Sequence, residues 1–188
     1  MTALNHGKVL LVVEQEKAAL CLMRALENSN RLELVWRARD SEAAIAYLRG
    51  TGAYGNRDKY PQPGLIVTSL PTPAATKVLR VARRLLQRPV VVQLTGTHDI
   101  SQSLKLMSNG ADCSQNKPNG RGETVAFVDW LEDWIELLKA PGKQTARALF
   151  KVVGISAALS APVGPLTVAE KRSLASGSGW RTLWYECG

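Results

Sequence analysis

The chain has 188 residues, of which 45% are hydrophobic and 21% charged, and its formal net charge is +8. This length and apolar content suffice for one domain with a substantial core plus an extension, so most of the chain is expected to fold. Residues 139–188 hold seven Lys and Arg against two Glu, a net charge of +5. The basic character is therefore predicted to belong mainly to the tail.

The cysteines and the apolar runs give little sign of a metal, a leader or a membrane anchor. Cys21, Cys113 and Cys187 are far apart and odd in number, and no Cys/His spacing suggests a metal site. A reduced, cytoplasmic chain is the simplest interpretation. The apolar run at 9–13 is too short for a signal peptide, and no stretch approaches the ~20 apolar residues of a membrane span.

Hydrophobic periodicity predicts alternating strands and helices along the first 139 residues. Helical spacing places Leu20 and Val125 among the residues expected to face the core. The alternation is typical of an α/β fold, a doubly wound five-stranded parallel sheet covered on both faces. The predicted strands are 8–13, 32–38, 65–69, 89–96 and, weakly because of its polar residues, 112–118. The predicted helices are 16–28, 40–50 (capped by Asp40 or Ser41 and stopped at Gly50), 74–87, 98–111 and 122–139.

With its elements in this order, the chain resembles the receiver domain of bacterial response regulators, which has a CheY-like, flavodoxin-like fold. The resemblance covers residues 7–139. It rests on the segments KVLLVVEQE (8–16), GLIVTSLPTP (64–73), PVVVQLTG (89–96) and GADCSQNKP (110–118). The loop RGTGAYGNRDKYPQP (49–63) resembles the longer connection of phytochrome-associated single-domain regulators.

The resemblance implies a phosphorylation site at the strand ends. In that family two acidic residues after the first strand bind Mg²⁺, and an Asp at the end of the third strand accepts the phosphoryl group. A Thr or Ser after the fourth strand and a Lys after the fifth complete the pocket. Carried over position by position, the acidic pair falls on Val13 and Glu14, the phosphoacceptor on Ser69, the switch hydroxyl on Thr95 and the lysine on Lys117.

The residues at these positions predict a degenerate site. A Ser hydroxyl is neutral and a poor Mg²⁺ ligand, and it needs a base to act as a nucleophile. Ser69 is therefore expected to be a placeholder, and His98 is the nearby candidate base. With Val13 in place of an acid, Mg²⁺ binding is expected to be weak or absent, with Glu14 a remnant at most. We expect no enzymatic activity.

Each matched residue also has an ordinary structural interpretation. Lys117 could be a solvated loop lysine, and Glu14 a solvated acid at a strand end. Thr95 could satisfy local backbone groups, which is a common role of Thr. His98 could simply begin a helix. These interpretations stay open at this point.

Two functional hypotheses follow. The first is a pseudo-receiver of two-component (phosphorelay) signalling, which binds a protein partner such as a sensor kinase or an output protein. The alternative is a DNA-binding transcriptional regulator that acts through the basic tail. The basic tail also allows a weak contact with nucleic acid or an anionic surface, although the ordinary interpretation of its basic residues is a solvated helix face.

The domain prediction is a receiver-like domain at 1–139 and a basic extension at 140–188, partly helical or disordered. The segment 156–165 is typical of a linker, and Trp180 and Trp184 could anchor the tail on the domain or on a partner. A helix is predicted at 143–154, with basic and apolar residues on neighbouring faces. The basic residues are Lys143, Arg147 and Lys151, and the apolar ones Ala146, Leu149, Phe150 and Val153.

Overall fold

A computed structural model describes residues 7–96 and 100–139 of the chain. The interpretations of His98, of the tail with Trp180 and Trp184, and of DNA binding fall outside these residues. The strands are β1 (Lys8–Val12), β2 (Glu33–Ala38), β3 (Leu65–Thr68), β4 (Val90–Thr95) and β5 (Cys113–Asn116). The helices are α1 (Glu16–Glu27), α2 (Ser41–Arg49), α3 (Thr72–Arg84), α4 (Ile100–Ser108) and α5 (Arg121–Lys139).

The strands form one parallel sheet in the order β2-β1-β3-β4-β5, so the predicted fold class is confirmed. The weakest predicted strand, β5, forms despite its polar residues. Cys113 is buried in the core, and Ser114 is buried against a serine of α4. None of the described helices has the length and apolar character needed to cross a membrane.

Helices cover both faces of the sheet and create two cores. One core lies between the sheet and the pair α1 and α5, and the other lies under α2, α3 and α4. The prediction that Leu20 and Val125 face the core was wrong, because they are 44% and 45% exposed. Other residues predicted to face the core are buried, namely Val128, Leu131 and Ile135 of α5 and Ala19 and Leu26 of α1.

Local chemistry fixes both ends of α2 as the sequence predicts. Asp40 is the N-cap, and its carboxylate accepts a hydrogen bond of 2.8 Å from the Ala43 backbone N–H. Gly50 ends the helix in the left-handed region with φ of 66°. A Cβ atom at Gly50 would also lie 2.7 Å from the flexible end of the Arg57 side chain, so the left-handed backbone is the main reason for glycine here.

The loop after α2 is folded back onto the sheet. The Arg57 guanidinium donates to the backbone carbonyls of Leu48 (2.8 Å) and Tyr47 (2.9 Å). The Tyr47 hydroxyl donates to the carbonyl of Pro61 at 2.8 Å. An aromatic cluster packs in and against the core under α2, α3 and α4. Its members are Trp36, Tyr47, Tyr54 and Tyr60, whose ring centroids lie 5.2 to 6.4 Å apart.

A partly buried ion pair, Arg88–Asp112, links the segments that precede β4 and β5. Asp112 is 0% exposed and accepts hydrogen bonds from the Val91 backbone N–H (3.0 Å) and from Arg88 (3.1 Å). A buried carboxylate needs such partners, because an unpaired charge in the interior is costly. The pair therefore helps to fix where β5 starts beside β4.

The aromatic cluster generates a prediction about alkaline pH. Burial raises the pKa of Tyr47 to about 12, from an ordinary value of 10. The unfolded chain therefore ionises this phenol near pH 10, whereas the folded chain keeps it neutral up to about pH 12. The stabilising contribution is fully present below pH 10 and is lost as the pH rises to about 12. We expect the free energy of unfolding, measured in urea from pH 9 to 12, to fall less steeply for Tyr47→Phe than for the wild-type protein.

The matched control is Tyr54→Phe, which removes the hydroxyl of a half-buried tyrosine from the same cluster and leaves the Tyr47 phenol in place. The free energy of unfolding of Tyr54→Phe should fall with pH as it does in the wild-type protein. An equally steep fall for Tyr47→Phe and Tyr54→Phe would contradict the role given to the buried Tyr47 hydroxyl.

Candidate functional site

The sheet register places the matched positions along the carboxyl edge. Val12 pairs with Thr68 between β1 and β3, and Thr95 pairs with Asn116 between β4 and β5. The backbone ladder continues one step further, because the Ser69 N–H donates to the Val12 carbonyl at 3.0 Å. The Lys117 N–H likewise donates to the Thr95 carbonyl at 2.7 Å. In parallel α/β sheets this edge is the usual place of a ligand site.

Val13 belongs to the core and not to a site. Its side chain is 0% exposed and packs in the core under α1 and α5, and its backbone N–H donates to the Ala38 carbonyl at 3.1 Å. The next residue, Glu14, is exposed, as expected of a solvated acid at a strand end. Of the implied acidic pair, one member is an apolar core residue.

Other carboxylates near this edge are engaged elsewhere. Glu16 accepts two hydrogen bonds from Arg37, at 2.7 and 2.8 Å, and these lower the pKa of its carboxyl. Asp40 caps α2, and Glu123 accepts from the Asn119 backbone N–H at 2.7 Å. Within residues 7–96 and 100–139, no three His, Cys, Asp or Glu form a group that could hold a metal ion. Mg²⁺ prefers several oxygen ligands, and the expectation that this edge binds Mg²⁺ weakly or not at all stays a prediction.

Ser69 lies in a tight connection between β3 and α3. It is half-buried, and the following Leu70 is buried with its N–H bonded to the Thr68 hydroxyl at 3.3 Å. Pro71 is already the N-cap of α3. The predicted start of that helix at residue 74 was therefore late, because prolines are compatible with a first helical turn, where no N–H partner is needed.

Thr95 and Lys117, the last two matched positions, differ in burial. The Thr95 side chain is buried, and its hydroxyl donates to the Gln115 carbonyl of β5 at 3.2 Å. This contact supports the ordinary role of a hydroxyl that satisfies local backbone. Lys117 is half-buried and directly follows β5, in the connection to α5.

Beneath the edge lies a polar row that sequence reasoning missed. Thr68, Gln93 and Ser114 stand beside one another on β3, β4 and β5, and all three are buried. The Gln93 amide nitrogen donates to the Leu70 carbonyl at 3.0 Å, and the Ser114 hydroxyl is 3.1 Å from that of Ser103 on α4. The available signals were the single Gln in an otherwise apolar strand and the polar composition of β5.

Charge is also segregated within the folded part. Residues 72–88 hold five Lys and Arg and no acid, and Lys77, Arg80, Arg83 and Arg84 are exposed on α3. By contrast, residues 121–139 of α5 hold five Asp and Glu against one Arg and one Lys. The basic character is therefore shared between the tail and α3, whereas α5 is acidic.

Solved structures with the same arrangement are response regulators. The phosphorylated cyanobacterial phytochrome response regulator RcpA is 26% identical, with a TM-score of 0.60 over 70% of this chain and 94% of that one. The Mn²⁺-bound form of response regulator Rcp1 is 24% identical, with a TM-score of 0.57 over 72% and 99% of the two chains. Response regulator RPA3017, in red light signaling of R. palustris, is 21% identical, with a TM-score of 0.56 over 64% and 87%.

No family model matches the chain, and no curated protein matches it either. The structural similarity spans nearly the whole length of the regulators named above. The strand order, the helices on both faces and the long loop after α2 agree with the resemblance seen in the sequence. The chain thus resembles response regulator receiver domains, phytochrome-associated regulators among them, and its described residues have their CheY-like fold.

Proposed function

We propose that the chain is a pseudo-receiver of two-component signalling, which is not phosphorylated and acts by binding a protein partner. The observation behind this proposal is the carboxyl edge, where Ser69 directly follows β3 and Val13 is a core residue. On this proposal, a receiver domain with these residues keeps the CheY-like fold but lacks the groups that phosphoryl transfer needs. On this proposal the protein is not an enzyme.

The physical reason is the charge that phosphoryl transfer needs. A carboxylate is ionised at neutral pH, so it can both attack phosphorus and bind Mg²⁺. A serine hydroxyl is neutral, binds Mg²⁺ poorly and needs a base before it can attack phosphorus. Glu14 is one exposed acid at this edge, and Glu16 is held by Arg37 and Arg39. Neither arrangement supports a metal ion with several oxygen ligands.

Hydrogen bonds from α4 to its neighbours support the proposal that α4 has one fixed position in the domain. Ser103 of α4 bonds Ser114 of β5, and Gln102 of α4 donates to the Thr72 hydroxyl of α3 at 2.9 Å. Thr95 is bonded to β5. On the proposal, these contacts hold the partner-binding surface in one state without a phosphoryl signal.

The surface formed by α3 and α4 indicates what kind of partner would bind. Leu104 of α4 is 48% exposed beside the exposed Lys105, and Leu86 after α3 is fully exposed. Arg80 and Arg84 supply positive charge on the same layer. We expect a protein partner, such as a sensor kinase or an output protein, that presents acidic and apolar side chains here.

The first test is phosphorylation. After incubation with acetyl phosphate and Mg²⁺, intact mass spectrometry should find no acid-stable, base-labile phosphoryl adduct on the wild-type protein. Ser69→Asp alone should stay unlabelled because the metal site still lacks an acid. The double variant Val13→Asp, Ser69→Asp should gain labelling, at a cost in stability because residue 13 is buried.

The matched control is Ser108→Asp, which adds the same charge at an exposed position of α4 away from the edge. Circular dichroism should show that every variant is folded. An acyl phosphate at position 69 in the single variant, or any base-labile adduct on the wild-type protein, would contradict the proposal.

The second test concerns the fixed position of α4. Ser103→Ala leaves the buried Ser114 hydroxyl without its partner, so the free energy of unfolding should fall by about 1–3 kcal/mol. The double variant Ser103→Ala, Ser114→Ala should recover part of this loss, because no hydroxyl is then left unsatisfied. Urea unfolding measures both, with the exposed Ser108→Ala as control. A Ser103→Ala variant as stable as Ser108→Ala would contradict the role of this contact.

A further inference from the structure

The exposed side of α3 carries a row of positive charges. Lys77, Arg80 and Arg84 are exposed, whereas the other side of the helix packs in the core. Residues three, four and seven positions apart lie on one face of a helix, so these three side chains form a single row. It extends over about 10 Å, because each helical residue adds ~1.5 Å along the axis. These three residues are the cationic row of α3.

The domain does little to neutralise the cationic row. Lys77 Nζ lies 3.5 Å from a carboxylate oxygen of Glu42 on α2, but both side chains are more than half exposed, so this pair contributes little. Arg80 and Arg84 form no ion pair with any residue of 7–96 or 100–139. The sequence from 59 to 98 contains no Asp or Glu. The positive field of the row is therefore open to a partner from outside the domain.

Helix stability does not account for the whole row. Basic residues in the last turn of a helix are favoured by the helix dipole, and this explains Arg83 and Arg84. Lys77 and Arg80 lie before the last turn, and like charges three or four residues apart repel each other. An anionic partner that lies along α3 removes this repulsion.

An exposed leucine follows the cationic row and indicates which anionic partner fits. Leu86 lies two residues after Arg84, and its side chain is fully exposed. Nucleic acid binds such a row through its phosphates, which offer nothing apolar to a leucine. A helix that binds a membrane surface has a wide apolar face, whereas the exposed side of α3 is charged. An acidic helix of a protein can present carboxylates to the row and an apolar side chain to Leu86.

We propose that the cationic row and Leu86 form the docking site for an acidic amphipathic helix of a protein partner. Three acidic side chains of that helix, spaced by one turn, face the three cations, and an apolar side chain beyond them packs on Leu86. The inference rests on the proposed function, since a pseudo-receiver acts by binding a protein. It adds the place of docking on α3 and the form of the partner.

The test is the binding of a labelled synthetic helix to the full chain, measured by fluorescence anisotropy. The probe is an alanine-based peptide with three Glu spaced as in the cationic row and a Leu one turn beyond them. The variant Lys77→Glu, Arg80→Glu, Arg84→Glu should bind it at least ~10-fold more weakly than the wild-type protein, and wild-type binding should weaken as salt rises. A probe with Lys in place of the three Glu should bind this variant better than the wild-type protein.

The matched control reverses the same number of charges on the opposite face of the sheet. The variant Arg24→Glu, Arg31→Glu, Arg121→Glu changes exposed residues in or next to α1 and α5. It should bind the acidic probe within ~2-fold of the wild-type protein, because the cationic row is intact. A second control probe with Gln in place of Glu should bind at least ~10-fold more weakly. Circular dichroism should show that both variants are folded.

Several results would overturn the proposal. Binding that persists in the α3 variant, or that both triple variants lose equally, would place the contact elsewhere in the chain. Equal binding of the Gln probe would remove the role of charge. Tighter binding of a DNA duplex, or of vesicles of phosphatidylcholine and phosphatidylserine, would assign the row to nucleic acid or to a lipid surface if the α3 variant lost it.

Failure of this docking site and failure of the proposed function give different results. A base-labile phosphoryl adduct on the wild-type protein refutes the pseudo-receiver whether or not the probe binds. Absence of both the adduct and probe binding refutes the docking site alone.

Discussion

Burial of β1, β3 and β4 on both faces is the constraint on which the rest of the structure depends. Between Val9 and Val13 every side chain is inaccessible, and β3 and β4 are buried throughout. Two-sided burial is expected of the central strands of a parallel sheet, whose helices cover both faces. These central strands therefore present side chains to a ligand at their ends and not along their length, so the residues at the ends decide what this part of the sheet can do.

At that edge the polar groups are used to hold the domain together. Arg37 binds Glu16, Asp40 caps α2, and Thr95 bonds β5. The polar row of Thr68, Gln93 and Ser114 continues this pattern. Within this row the Gln93 side-chain oxygen has no hydrogen-bond partner among the described residues. Such buried networks favour one arrangement of their elements, because each lost partner leaves an unsatisfied group. This is the physical basis on which we propose a binding module with a fixed surface.

The sequence predicted those features that depend on local chemistry. Apolar runs identified β1, β3 and β4, and Asp40 and Gly50 identified the ends of α2. The polar strand β5 was recognised mainly through its place in the resemblance. Leu20 and Val125 were predicted to face the core but are exposed. Their helices have apolar residues at several positions, so helical spacing alone does not decide which of them are buried. The polar row and the Glu16–Arg37 pair could not be predicted, since they depend on strand register and on contacts across 21 residues.

The central claim is that the carboxyl edge does not bind a phosphoryl group with Mg²⁺. The most direct measurement is a titration of the ¹⁵N-labelled protein with Mg²⁺ and beryllofluoride, a phosphoryl mimic, followed through the backbone amide signals of Ser69, Thr95 and Lys117. We expect no saturable change in the chemical shifts of these three amides. A saturable shift of all three, absent when Mg²⁺ or beryllofluoride is left out, would contradict it.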